Sequence, residues 1–243
     1  MNTIKSNIIA QLQKDILLLQ GFKKISGSAA LDVVPSIIKN AFPNNEYPLG
    51  AVHEFISTGA EGAAATGGFV AGMLASIMQS GGASIWISSC RTIFPPALKS
   101  FGIAPDKIIF IDLKKEKEIL WVMEEALKCE GLAAVIGDMQ ELSFTASRRL
   151  QLAVEQSRVT GFILRHNPRN LNTTACVTRW KITPLPSESI DDMQGVGFPR
   201  WNVELLKVRN GKPGSWQIEF AAERFRHISK ITAIPLEQQK KAG

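Results

Sequence analysis

A chain of 243 residues, 45% hydrophobic and 21% charged, holds enough apolar material for one large domain with its own core, without help from disulfides or metals. Its three cysteines (Cys90, Cys129, Cys176) lie far apart with no C-x-x-C pair, which argues against a zinc site and for a reducing, cytoplasmic setting. The net charge of +6 is concentrated: Ser143 to Lys181 carries seven basic residues against the single acid Glu155, and 7 − 1 = +6 is the whole imbalance.

The opening MNTIKSNIIAQLQKDILLLQ alternates charged and apolar residues, so it is no secretory signal. Ile4, Ile8, Leu12, Ile16 and Leu19 recur at helical spacing and predict an amphipathic helix within residues 1–24, a candidate for self-association or partner docking. Residues 25–46 read as a linker. GAVHEFIS then predicts a strand and GGFVAGMLASIM a helix. The uncharged run from Gly62 to Cys90 is broken by QSGGAS, leaving about 13 apolar residues where a membrane span needs about 20. No membrane segment is expected.

ASIWIS and KIIFIDL read as strands on either side of a short proline-started helix, PPALKSFG. A strongly amphipathic helix over 117–129 leads to the buried strand GLAAVIGDM, ending near Asp138. A helix over Thr145–Ser157 and the strand TGFILRH follow. Alternation of this kind predicts a mostly parallel sheet with helices on both faces. TACVTRWKIT, RWNVELLKV and SWQIEF have no helices between them, and Asn210-Gly211 is a strong hairpin signal. The domain, 47–227, therefore ends in an antiparallel extension, and 228–243 reads as a tail.

The functional question centres on STGAEGAAAT, Ser57 to Thr66, which lies where a phosphate-binding loop of the form G-x-x-x-x-G-K-[ST] would lie. Gly59 and Thr66 match its first glycine and last hydroxyl. Ala64 replaces the second glycine, and Ala65 replaces the lysine that would meet the phosphates. No other lysine or arginine lies between Gly59 and Arg91, and Glu61 adds a negative charge. A plain strand-to-helix turn is the reading the residues favour, with no nucleotide cofactor and no ATPase activity. Asp138 stands where a magnesium-holding carboxylate would, or serves simply as a helix cap or surface residue. His53, His166 and His227 read as mutually isolated, giving no nucleophile–base pair and no catalytic residue, and no metal site is expected.

The order YPLGAVHEFISTGAEGAAAT, ASIWIS, LKSFGIAPDKIIFID and EEALKCEGLAAVIGDM resembles the RecA recombinase core. LSFTASRRLQLAVEQSRVTGFILR, TTACVTRW and GFPRWNVELLKVRNGKPGSWQIEF narrow the resemblance to the ImuA family of error-prone repair accessory proteins, over Tyr47 to Phe225. It implies a RecA-like α/β fold and a non-catalytic adaptor in damage-induced translesion synthesis. The partners it implies are an ImuB-type Y-family polymerase-like protein and an error-prone replicative-type polymerase, with RecA, DNA and a second copy of the chain left open. Cys90 falls near the recombinase's catalytic glutamate and Arg165 near its nucleotide-sensing glutamine, so ATP-gated switching is not expected. The two DNA-binding loops shrink to MQELSF and NPRNLNTT, which argues against a recombinase-like filament. A divergent ATPase, or a SulA-type cell-division inhibitor, are the competing classes.

Arg148, Arg149, Arg165, Arg169 and Arg179 are the candidate contacts to DNA or to an acidic partner surface, against a merely solvated face. Trp180, Trp201 and Trp216 read as core packing more than as stacking platforms for single strands.

Overall fold

A computed structural model describes residues 32–90, 93–187 and 197–228. The candidate helix residues Ile8, Leu12, Ile16 and Leu19, and the tail beyond 228, lie outside the described residues. Nine strands form one sheet: β1 (Val52–Ser57), β2 (Ala83–Ser88), β3 (Ile108–Asp112), β4 (Leu132–Met139), β5 (Thr160–His166), β6 (Thr178–Leu185), β7 (Arg200–Val208), β8 (Gly214–Ala221) and β9 (Arg224–His227). Their order is β3-β2-β4-β5-β1-β6-β7-β8-β9. Pairing is parallel from β3 through β6 and antiparallel from β6 to β9. The mixed α/β class and its antiparallel C-terminal extension are as the sequence predicts.

Among the described residues three long helices cover the sheet, α1 (Gly59–Met78), α2 (Glu116–Leu127) and α3 (Phe144–Ser157), and a four-residue helix, Ser36–Lys39, precedes β1. α1 lies in the core on one face, with Phe69, Val70, Met73 and Leu74 against Phe55, Phe162, Trp180, Trp201 and Phe220. α2 and α3 cover the opposite face, where Ile119, Met123 and Leu127 meet Leu150 and Val154 over Val52, Val135 and Ile163. β1 is central and every one of its residues is buried, as expected of a parallel strand covered on both sides. Segment Pro95–Phe101 forms a 3-10 helix, proline in its first turn.

Trp180 and Trp201 are buried and Trp216 packs partly buried against the same core, so all three serve packing. Gly72 lets the last hairpin close on α1. A Cβ there would sit 2.6 Å from the Phe225 ring and 3.0 Å from that of Phe220. The Asn210-Gly211 turn is drawn inward as well: the amide of Lys212 donates to the carbonyl of Ala41 at 2.9 Å.

Two boundaries differ from the sequence reading. Residues 33–46 are not a linker, because Val33, Val34, Ile38, Ala41 and Phe42 are buried in the α1-side core. Helix α1 starts at Gly59, eight residues before the predicted Gly67. Among the described residues no helix is long and apolar enough to cross a membrane.

Candidate functional site

The C-terminal ends of β1, β4 and β5 bring together the residues that parallel α/β sheets use for ligands. At the β1–α1 junction only Thr58 separates strand from helix. The Ala/Gly-rich run that the sequence offers as a loop is coiled into the first two turns of α1. Gly59 takes a left-handed φ of +70°, which suits its lack of a side chain, and its amide donates to Asn167 Oδ1 at 2.9 Å. Helix N-termini attract anions because their first amides are unpartnered. Here the first of them is already occupied by an oxygen of the chain itself, and the exposed Glu61 sits in the same turn.

The residues at the phosphate-loop positions consequently point elsewhere. Ala64 is exposed, while Ala65 is part of the hydrophobic core. Thr66 is fully buried, and its hydroxyl has no hydrogen-bond partner among the described residues. It is not placed to hold a hydrated metal ion at the surface.

Asp138 is neither a helix cap nor a surface residue. It is 9% exposed, and its Oδ1 lies 3.2 Å from His166 Nε2, while α3 is capped by Ser143, whose Oγ accepts from the Ala146 amide. His166 Nδ1 in turn lies 2.6 Å from Ser57 Oγ. The expectation that no histidine pairs with a hydroxyl is therefore corrected: β1, β5 and β4 supply a Ser57–His166–Asp138 chain, in the order nucleophile, base and orienter familiar from acyl transfer. Ser57 is only 1% exposed, so its oxygen is turned into the protein rather than towards solvent. The chain ties three strand ends together. No spacing in the sequence signals it, because its members are 81 and 28 residues apart, from three different strands.

Beside this cluster lies a buried ionic hub. Glu54, in mid-β1 and fully buried, accepts from Arg165 Nη1 at 2.7 Å, Arg179 Nε at 2.8 Å and Thr174 Oγ1 at 2.8 Å. Arg165 also donates to the carbonyls of Gln140 and Asn170 and to Glu141. Arg179 donates to the Asn172 carbonyl at 2.6 Å. Arg165 is fully buried and the Arg179 side chain is 13% exposed, so neither is available to DNA or a partner. Both are withdrawn from the candidate contact set. Their physical role is to neutralise Glu54, since a buried carboxylate without a counter-charge costs several kcal/mol. A signal was present in the sequence: Glu54 and Arg165 are the only Asp, Glu, Lys or Arg in their respective strands, VHEFIS and TGFILRH.

The hub also fastens the loops that follow β4 and β5. Gln140 Nε2 donates to the Asn167 carbonyl, the Arg169 amide to Glu141, and Asn172 Nδ2 to the Leu142 carbonyl, all within 2.8–2.9 Å. Each loop's polar groups are directed at the other. Nearby, burial together with the Glu54 charge pushes the Cys176 thiol up to about 12, leaving it inert. Cys90 is exposed just past β2.

No family model matches the sequence. A curated protein, Protein ImuA of Caulobacter vibrioides (strain NA1000 / CB15N), is 34% identical over 194 residues, covering 75% of this chain and 80% of the relative. Protein ImuA of a second strain of that species, ATCC 19089 / CIP 103742 / CB 15, matches to the same extent. The chain belongs to the ImuA family.

In this ImuA-family chain the candidate contact arginines left at the surface are Arg148 and Arg149 on α3 and Arg169 in the loop after β5. Arg149 bridges to Glu124 of α2 at 2.6 Å. The side chains of Arg148 and Arg169 have no partner among the described residues. Among the described residues no group of three or more His, Cys, Asp or Glu could hold a metal.

Proposed function

We propose that this chain is a non-catalytic, RecA-like adaptor of the error-prone translesion synthesis machinery in the DNA damage response. The single observation that carries the reading is the β1–α1 junction. Its helix begins at Gly59 with the first amide held by Asn167, and Ala65 stands in the core where a phosphate-binding lysine would project. A strand-to-helix turn of this form has neither the backbone concavity nor the cation that a triphosphate needs. The Asp138 carboxylate, facing His166, is likewise not free to hold magnesium. What the architecture retains is a rigid sheet with two helical faces, which suits a protein that acts through contacts.

The loops after β4 and β5 support the same reading. Laced to each other, they present no extended, mobile surface for wrapping DNA as a recombinase does. In this reading the chain works in the cytoplasm with two partners, an ImuB-type Y-family polymerase-like protein and an error-prone replicative-type polymerase, and its membership of the ImuA family supports a role in damage-induced mutagenesis. Affinity purification of the tagged full chain from DNA-damaged cells, followed by mass spectrometry, tests this. Recovery of translesion polymerase subunits is expected, whereas recovery of division proteins alone would replace the adaptor by the division-inhibitor reading.

A further inference from the structure

The hub around Glu54 holds more positive charge than its own acids neutralise. Arg165 and Arg179 are bonded to Glu54, and Arg165 also to Glu141. Two further cations stand on the same face of the sheet. Lys207 lies across the β6–β7 ladder from Arg179, and Arg209 is two residues further on, so their side chains share one side of β7 while that of Val208 packs into the α1-side core. Thr174 joins them to the hub, its hydroxyl donating to Glu54 at 2.8 Å and its carbonyl accepting from Lys207 Nζ at 2.6 Å. Arg209 Nη2 donates to the neighbouring Ala175 carbonyl at 3.1 Å, and Ser147 Oγ of α3 accepts from the Ala175 amide at 2.9 Å. These neutral carbonyls orient the two cations without cancelling their charge. The connected set carries four cations against two carboxylates, and 4 − 2 = +2.

Burial makes that excess unfavourable at Lys207. Desolvation holds its ammonium below the usual lysine value, and Arg179 and Arg209 push the same way. Glu54 opposes them, but the other opposing charge, a Cys176 thiolate, is suppressed because burial keeps that thiol protonated. Glu204, the next acid along β7, faces Lys181 across the ladder instead. Among the described residues no carboxylate is bonded to Lys207 or Arg209. We propose that Lys207 and Arg209 form a binding site for a phosphate monoester, the dianion whose charge matches the two cations in excess. An ammonium has three N–H donors and a guanidinium five, and each has given one to a carbonyl, so enough remain for three phosphate oxygens. A carboxylate or a phosphodiester brings a single charge and would leave one cation uncompensated. Arg179 stays on Glu54 and acts on the ligand only through its charge. The monoester can arrive as free phosphate or as the 5′ end of a nucleic acid strand, and the group recognised is the same. The site is independent of the adaptor reading.

The test titrates the full chain, isotope-labelled at lysine and arginine, with orthophosphate while chloride keeps the ionic strength constant. Saturable shifts of the Lys207 Cε and Arg209 Nε resonances in the millimolar range are expected, and the Lys207 ammonium should titrate at higher pH once phosphate is bound. Lys207→Met and Arg209→Met should each weaken binding at least about tenfold, with circular dichroism checking the fold. If a variant fails to fold, the native resonances decide alone. A second arm compares a 5′-phosphorylated oligonucleotide with its 5′-hydroxyl twin. A preference of at least about tenfold for the phosphorylated strand, lost in Lys207→Met, assigns the site to nucleic acid ends. Orthophosphate shifts without that preference assign it to free phosphate. Both outcomes support the site. Absence of the shifts together with absence of the preference overturns it, as does binding that both substitutions leave unchanged.

Discussion

Replacing Glu54 by glutamine is the substitution whose consequence the structure fixes most tightly. The side chain keeps its length but loses its charge, and one acceptor oxygen becomes a donor facing Arg165 Nη1 or Arg179 Nε, now at 2.7 and 2.8 Å. Arg165 is fully buried, so its guanidinium cannot turn to water for compensation; among the described residues Glu141, 3.3 Å away and partly exposed, is the only other carboxylate bonded to it. Breaking a buried pair by removing one partner costs about 3–5 kcal/mol, a large part of the roughly 5–15 kcal/mol that holds a domain folded. For a chain of this size that corresponds to a fall in melting temperature of about 6–20 °C. Urea unfolding followed by tryptophan fluorescence is a suitable assay, since Trp180 lies on the strand that carries Arg179. The double variant Glu54→Met/Arg165→Met should cost less than the two single substitutions summed, by about 1–3 kcal/mol, because the second change removes the orphaned charge. A Glu54→Gln loss below about 1 kcal/mol, or strict additivity in the cycle, would refute the view that this hub is a mutually neutralising cluster.

Stability should also fall in mild acid through His53. Burial holds its ring far below the usual imidazole value, at about 3, while Trp180 Nε1 donates to Thr178 Oγ1, whose hydroxyl faces His53 Nδ1, and Nε2 faces the Pro48 carbonyl. The unfolded chain takes up that proton near pH 6.5 and the folded chain does not, so stability drains away as pH falls from about 6.5 towards 3, by up to about 1.4 kcal/mol per unit. His53→Gln should flatten the stability difference between pH 7 and pH 4; an unchanged slope would contradict this. Gly72→Val should push the Phe220 and Phe225 rings off α1 and cost about 1–3 kcal/mol by overpacking, measurable as a lower unfolding midpoint. A neutral result would mean the hairpin is not seated as closely as described.

Much of the fold is legible because period and punctuation agree with it. The strand runs at ASIWIS and GLAAVIGDM, the amphipathic 117–129 helix and the Asn210-Gly211 turn each have one reading, and tertiary structure respects it. The start of α1 is not legible. Ala and Gly over 59–66 show no apolar period, and the acceptor that satisfies the Gly59 amide, Asn167, is 108 residues away. The hidden core segment at Val33–Phe42 is obscured by the Gly/Ser-rich stretch before it, although its own Val, Ile and Phe content announces burial. The arginines divide for a reason composition cannot supply. Arg165 and Arg179 sit on strands either side of Glu54, which draws them inward, whereas Arg148 and Arg149 occupy a helix with one wet side. Ser57, Asp138 and His166 meet only because strand order places β5 between β1 and β4.

The central claim is that a helix beginning at Gly59 leaves no cradle for a triphosphate. Titration of the isotope-labelled full chain with ATP and Mg²⁺, reading the backbone amide resonances of Ser57–Thr66, addresses it directly. Unmoved amides across millimolar nucleotide are the predicted outcome; saturable shifts centred on Gly59, Ala65 and Thr66 would overturn the account.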